Sequence, residues 1–162
     1  MILDDVARLD RAVSRLLELA RVEDVRNTAV PVELGALSRE LASRTWPVPV
    51  EVACTVPVIA TVRSAAMACA IENLVTNAVQ HADAGSTVTV TVTASRICVA
   101  NHGPAISRTA QGKIWDRFYT TRAEQGGSGI GLSIVRAVAI AHGGSVGVKS
   151  ANGITEVWIE LA

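Results

Sequence analysis

Apolar residues near the start of the chain recur at Ile2, Val6, Leu9, Val13, Leu16 and Ala20, in alternating steps of four and three. That is a heptad seam, and it predicts an amphipathic helix over residues 2–27. Asp10, Arg11, Arg15 and Glu18 lie off the seam. Such a helix either folds onto its own domain or forms one member of an intermolecular bundle. It is too short to stand alone, and nothing later in the chain repeats its heptads.

Val30-Pro31-Val32 ends that pattern, and residues 28–162 read as a second unit. Glu33 to Arg44 is predicted helical, closed before Trp46-Pro47. Residues 48–62 are rich in Val and Pro and read as strands joined by a turn. Arg63 to Ala82 is a long helical stretch. Val88 to Val92 alternates Val and Thr, which predicts a half-buried strand, and Arg96 to Ala100 is its hairpin partner. Residues 103–127 show little periodicity and read as a long mobile loop. Ser128 to Ala141 is a helix that stops at His142-Gly143-Gly144. Val146–Lys149 and Thr155–Leu161 make a closing hairpin around Asn152-Gly153.

Composition narrows the classes. A chain of 162 residues is one domain with a small appendage. Hydrophobic residues are 49% and aromatics 3%, so the core must be aliphatic. Fifteen basic and fifteen acidic residues give a formal net charge of +0, with no electrostatic ground for nucleic acid or an acidic membrane surface. Cys54, Cys69 and Cys98 are odd in number and form no C-x-x-C, so disulfide-framework and zinc readings are poor and a reducing compartment fits better. No apolar run has the length of a membrane span, and Met1-Ile2-Leu3-Asp4-Asp5 lacks a signal-peptide pattern. A soluble, cytoplasmic chain is the expectation.

Four segments carry candidate chemistry. On the long helix, Asn73, Asn77 and His81 share a face at i, i+4 and i+8. Amide oxygens so placed suit Mg²⁺ alongside phosphate oxygens, with Glu72 a proton- or water-handling carboxylate; the alternative is a plain solvated face. Asn101-His102-Gly103-Pro104-Ala105-Ile106 follows a strand, where an acceptor can take a hydrogen bond from an adenine amino group or simply end the strand. Ile114-Trp115-Asp116-Arg117-Phe118-Tyr119 places aromatics in a polar loop, to anchor it or to cover a base. Gly126-Gly127-Ser128-Gly129-Ile130-Gly131-Leu132 leads into a helix. Its glycines allow close backbone approach, and the helix N-terminus offers unpaired N–H groups to a phosphate.

In order and spacing these segments resemble the N, G1, F and G2 boxes of the sensor histidine kinase ATP-binding domain. The tail from Ala141-His142-Gly143-Gly144 to Leu161 resembles that family's C-terminal hairpin, and Leu9 to Arg21 its second dimerisation helix. The resemblance implies a two-layer α/β sandwich of Bergerat type, a mixed sheet with helices on one face. It implies ATP and Mg²⁺ as ligands, with Asn73 and Asn77 matching the N-box asparagines and Asn77 the favoured Mg²⁺ ligand. Gln80 and His81 fall near the phosphates. Asn101, Gly103 and Ala105 fall in the adenine segment, and Phe118 follows Arg117 in the F box. Gly127, Gly129 and Gly131, with Ile130 and Leu132, form the phosphate lid. The implied partners are a phosphoacceptor histidine and a downstream response regulator, with a possible helical-bundle dimer, no nucleic acid and no direct membrane span.

The chain departs from the family in three places. Asn101 stands where an aspartate is usual. A neutral amide accepts more weakly than a carboxylate, at a loss of about 1–2 kcal/mol. Ala105 replaces a glycine, and its Cβ would crowd a loop needing positive φ, costing on the order of 1 kcal/mol. The three histidines all lie within or beside the nucleotide segments, and none precedes Leu41. The phosphoacceptor is therefore expected on a partner protein or a missing segment. A serine kinase of the same superfamily and a degenerate docking module are the competing expectations.

Overall fold

The computed structural model describes residues 28–121 and 127–162, together with Val13. The helix expected over 2–27 lies outside the described residues except for Val13, which is helical and 52% exposed. The elements are β1 (Val30–Glu33), α1 (Leu34–Ala42), β2 (Val50–Ala53), β3 (Ile59–Val62), α2 (Ser64–His81), β4 (Val88–Val92) and β5 (Arg96–His102). They continue with α3 (Arg108–Gln111), α4 (Gly131–Ala141), β6 (Ser145–Ala151) and β7 (Ile154–Glu160). Among the described residues no helix is long and apolar enough to cross a membrane.

Five strands form one mixed sheet in the order β2-β4-β5-β7-β6, with β2 parallel to β4 and the other pairs antiparallel. Period-two alternation splits the sheet into two faces. Val88, Val90, Val92, Ile97, Val99, Val157 and Ile159 are buried on the helix side. Cys98 and Trp158 pair on the other side, where the Arg96 guanidinium lies 4.7 Å from the Trp158 ring. Burial and the nearby Glu156 carboxylate push the Cys98 thiol up to about 11, so it stays protonated. None of the three cysteines forms a disulfide among the described residues.

Helices α2 and α4 pack together over the buried face. Met67, Ile71, Leu74 and Val75 of α2 meet Ile134, Val135 and Val138 of α4, and small residues at Ala70, Ala78 and Ala139 let the two helices approach. Each large aliphatic side chain fully removed from water contributes about 1.5–3 kcal/mol. This α/β layering is the Bergerat arrangement expected from the sequence.

Three local expectations are corrected. The strands within 48–62 form but do not pair with each other: β2 joins the main sheet, while β3 pairs antiparallel with β1 in a separate two-stranded sheet. A short apolar run specifies an extended backbone but not which distant edge it reaches. The stretch read as an unbroken loop contains α3, capped by Ser107, whose Oγ accepts from Ala110 N at 3.1 Å. The final helix begins at Gly131, three residues later than its pattern suggested.

Glu33 fastens α1 to the rest of the fold. Its carboxylate accepts from Gly35 N (2.8 Å), Ala36 N (2.7 Å) and Val58 N (3.1 Å) and pairs with Arg39 at 3.2 Å. The hydrogen bond from Val58 N, more than any other cause, holds its pKa below the usual carboxylate value. A depressed folded-state pKa stabilises the fold above the unfolded-state pKa, and that contribution disappears as pH falls through the folded value. Urea midpoints should therefore drop on acidification below about pH 4.5 more steeply in the parent chain than in Glu33→Gln. Glu33→Gln should also be the less stable protein at pH 7.

Candidate functional site

One cavity of about 720 Å³ lies between the C-terminal half of α2, the segment after β5, and the N-terminus of α4. Each wall follows from local sequence. On α2, helical spacing brings Asn73, Thr76, Asn77, Gln80 and His81 to one side, while Leu74, Val75 and Ala78 point into the core. Asn73 is buried, and its Nδ2 donates to Cys69 O at 2.8 Å. Asn77, one turn on, is half-buried, and its side chain makes no hydrogen bond among the described residues, which leaves its amide to the cavity.

The second wall is the end of β5. Asn101 is 3% exposed, and its Nδ2 donates to His81 O at 3.3 Å. His81 ends α2, so its carbonyl is one of the four that a helix leaves unpaired. With one N–H of the amide committed there and the orientation of the group thereby set, Asn101 offers the cavity its carbonyl oxygen as an acceptor. Asp83 N donates to His102 O at 2.7 Å beside this bond. Gly103 lies so close under the same His81 carbonyl that a Cβ would collide with it. Thr155, the register partner of Asn101, also lines the cavity. Thr155 Oγ1 lies 2.8 Å from Ser150 Oγ, which accepts from Ile106 N at 2.9 Å, and this chain of bonds fixes the loop after β5.

The third wall is the start of α4. Its N-cap, Ile130, has no side-chain capping bond, so the first amides of the helix are left without one where Gly131 and Leu132 line the cavity. Unpaired N–H groups and the positive end of the helix dipole make this end attractive to anions. Gly129 has φ +69°, and its carbonyl accepts from Phe118 N at 2.9 Å; a Cβ at Gly129 would lie 2.6 Å from Phe118 C. Phe118 itself has φ 67° and is 63% exposed. A left-handed conformation in a residue with a Cβ costs about 1–2 kcal/mol.

The structure thus gathers Asn73, Asn77, Gln80, His81, Asn101, Ala105, Gly127, Gly129, Gly131 and Leu132 around one space. Gly103 and Ile130 support the walls from behind, Ile130 fully buried. Phe118 and Glu72 are not part of the lining. Glu72 Oε1 lies 3.2 Å from Arg44 Nη1, turned toward the end of α1. Ala105 is exposed and is not among the residues with positive φ, so the strain expected of it does not arise. Residues 122–126, including Gly126, lie outside the described residues. Sequence reasoning missed Thr76, which the spacing of its neighbours could have found, and Thr155, which nothing local distinguishes.

Residues 64–162 match the family described as histidine kinase-, DNA gyrase B- and HSP90-like ATPase. The chain belongs to this family. It is 30% identical to the sensor protein IrlS of Burkholderia pseudomallei over 98% of this chain and 38% of the relative. It is 31% identical to the probable sensor histidine kinase TcrY of Mycobacterium tuberculosis, over 97% of this chain and 36% of the relative. The chain therefore spans little more than a third of the length of these curated relatives. Among solved structures, full-length ShkA in complex with AMPPNP superposes with a TM-score of 0.73 at 27% identity, covering 94% of this chain and 35% of that one.

The cavity depends on the close approach of Gly103 to α2. Gly103→Ala should destabilise the protein by about 1–3 kcal/mol in urea unfolding, because its Cβ must displace the His81 carbonyl. Gly112→Ala, where the nearest atom is Thr109 O at 3.6 Å, should change stability by no more than about 0.5 kcal/mol.

Proposed function

We propose that this chain is the ATP-binding, phosphoryl-donating part of a two-component sensor histidine kinase. The observation that carries this reading is the convergence of the free Asn77 amide, the Asn101 carbonyl and the uncapped N-terminus of α4 on one cavity. The AMPPNP bound to ShkA and the sensor-kinase relatives support it.

In this reading the adenine amino group donates to Asn101 Oδ1, and the phosphates lie against the first amides of α4. Mg²⁺ fits the site because amide oxygens are hard donors, and this ion commonly uses few protein ligands beside substrate phosphates. Asn77 would hold it, with Asn73 behind; the ion would neutralise phosphate charge. The Asn73 nitrogen is already used by Cys69 O, which leaves Oδ1 as its one donor atom to a cation. Glu72 is the weakest assignment, since its carboxylate faces Arg44.

The acceptor is a histidine outside residues 28–162. A ring nitrogen of that histidine forms a bond to the γ-phosphorus while the bond to the β-phosphate oxygen breaks and ADP leaves. The chain's part is positioning and electrostatics. His142 is unsuited to the acceptor role, because both ring nitrogens are engaged. Nε2 accepts from Arg63 N at 3.0 Å, so Nδ1 carries the proton and donates to Val138 O at 2.7 Å.

Incubation with labelled ATP, Mg²⁺ and a partner bearing a phosphoacceptor helix tests the reading. Acid-labile label on the partner is the expected result. Acid-stable label would indicate a serine kinase instead, and no measurable ATP affinity by calorimetry would leave only a docking module.

Two variants probe the binding roles. Asn77→Ala should weaken ATP binding by about tenfold or more when Mg²⁺ is present, and change it little in EDTA, by calorimetric titration. Asn101→Asp exchanges the hydrogen bond to His81 O for a carboxylate facing that carbonyl. It should tighten ATP binding by about tenfold while lowering the melting temperature of the nucleotide-free protein.

A further inference from the structure

A second cavity, of about 550 Å³, shares no lining residue with the first. Small-molecule pockets commonly fall at about 300–1,000 Å³. This one is bounded by the start of α2, the segment Trp115–Arg117 and the outer side of α4. Arg63, Arg117 and Arg136 line it against a single carboxylate, Asp116. Neither Arg63 nor Arg136 has an ion-pair partner among the described residues. A guanidinium presents a planar fork of N–H donors that matches two oxygens of a phosphate.

Both guanidiniums grow from fixed backbone. Arg63 N donates to His142 Nε2 at 3.0 Å, which ties the N-cap of α2 to the end of α4. Arg136 belongs to α4, which Val135 and Val138 anchor in the core. The helix ends favour the same sign of charge. Arg63 caps α2 without a side-chain bond, so the positive end of an 18-residue helix opens here. The opposite end of α4 is covered, because Val138 O, Ala139 O and Ile140 O accept from the backbone N–H groups of His142, Gly143 and Gly144.

The remaining walls are largely apolar. Trp115 is half-buried and offers an indole, and Ala137 and the 63%-exposed Ile140 line the same space. A bare anion would engage the guanidiniums and leave this surface wet. A phosphate carried on a flat apolar group uses both.

We propose that this cavity binds a small organic phosphate monoester. Its dianion sits between Arg63 and Arg136, and its flat group lies against Trp115 and Ile140. Arg117 already has a partner and stays outside this pair. The site is independent of whether the first cavity binds ATP.

Nitrogen–proton correlation spectra of the full-length chain, titrated with phenyl phosphate, test this. Trp115 supplies an indole Nε1–H signal, identified by its loss in Trp115→Phe. That signal should shift saturably, with a Kd of about 1 mM or lower. Inorganic phosphate and benzyl alcohol, which each carry one part of the ligand, should bind at least about fivefold more weakly. Arg63→Gln and Arg136→Gln should each weaken phenyl phosphate binding by about fivefold or more. Asp116→Asn should strengthen it by about twofold, because a carboxylate no longer repels the dianion. Asp116 is exposed, so that variant keeps the test independent of how the arginine variants fold. The proposal is overturned if the Trp115 signal does not respond up to about 20 mM ligand, or if saturable shifts appear only at Gly131 and Leu132 of the first cavity. It is equally overturned if the substitutions leave the Kd unchanged. Inorganic phosphate binding as tightly would leave a bare anion site, and benzyl alcohol binding as tightly an apolar cleft; either result also overturns it.

Discussion

The last carbonyl of α2 meets the tip of β5, and the geometry of the nucleotide-sized cavity follows from that contact. A helix leaves its final carbonyls unpaired. Here Asn101 Nδ2 supplies a donor to His81 O, Asp83 N donates to His102 O, and Gly103 permits the backbones to touch. Asn77 on the helix and Asn101 on the strand therefore hold fixed positions relative to each other. The same contact explains how an asparagine is accommodated where the family usually has an aspartate. A carboxylate there would face a carbonyl oxygen, whereas the amide bonds to it.

A second tie sets the opposite wall. Phe118 N donates to Gly129 O, joining the segment after α3 to the approach of α4, with both residues at positive φ. The strain at Phe118 persists because the fold on either side is pinned. On one side α4 is held by Ile134, Val135 and Val138 against α2; on the other Ile114 is buried. His142 closes the far end of α4 by joining Val138 O to Arg63 N. Helix α4 thus runs between two cavities of different chemistry, one lined by side-chain amides and one by the guanidiniums of Arg63, Arg117 and Arg136.

Much of this was legible in the chain because the relevant signals are local. The alternation of Val88–Val92 gives one buried and one open face whatever the strand's neighbours are. The spacing of Asn73 and Asn77 puts them on one side of any helix that contains them. Asn152, at φ 54°, turns the last hairpin where the Asn-Gly pair marked it. Glu72 was misleading for a matching reason. Sequence places it beside Asn73, but one residue along a helix is a rotation of about 100°. The side chain that meets it is Arg44, 28 positions away.

The sequence by itself determined most of the element types, the aliphatic core and many of the residues that line the cavity, because periodicity and backbone chemistry act over a few residues. Only the tertiary structure decided that β2 and β3 go to different sheets, that Thr155 stands beside Asn101, and that Ala105 carries no left-handed strain. It also decided that Asn101 spends one N–H on His81 O while its oxygen faces no such demand, and that the Asn77 side chain keeps its whole amide. Those outcomes depend on which distant groups compete for each hydrogen bond, and that competition is settled by packing.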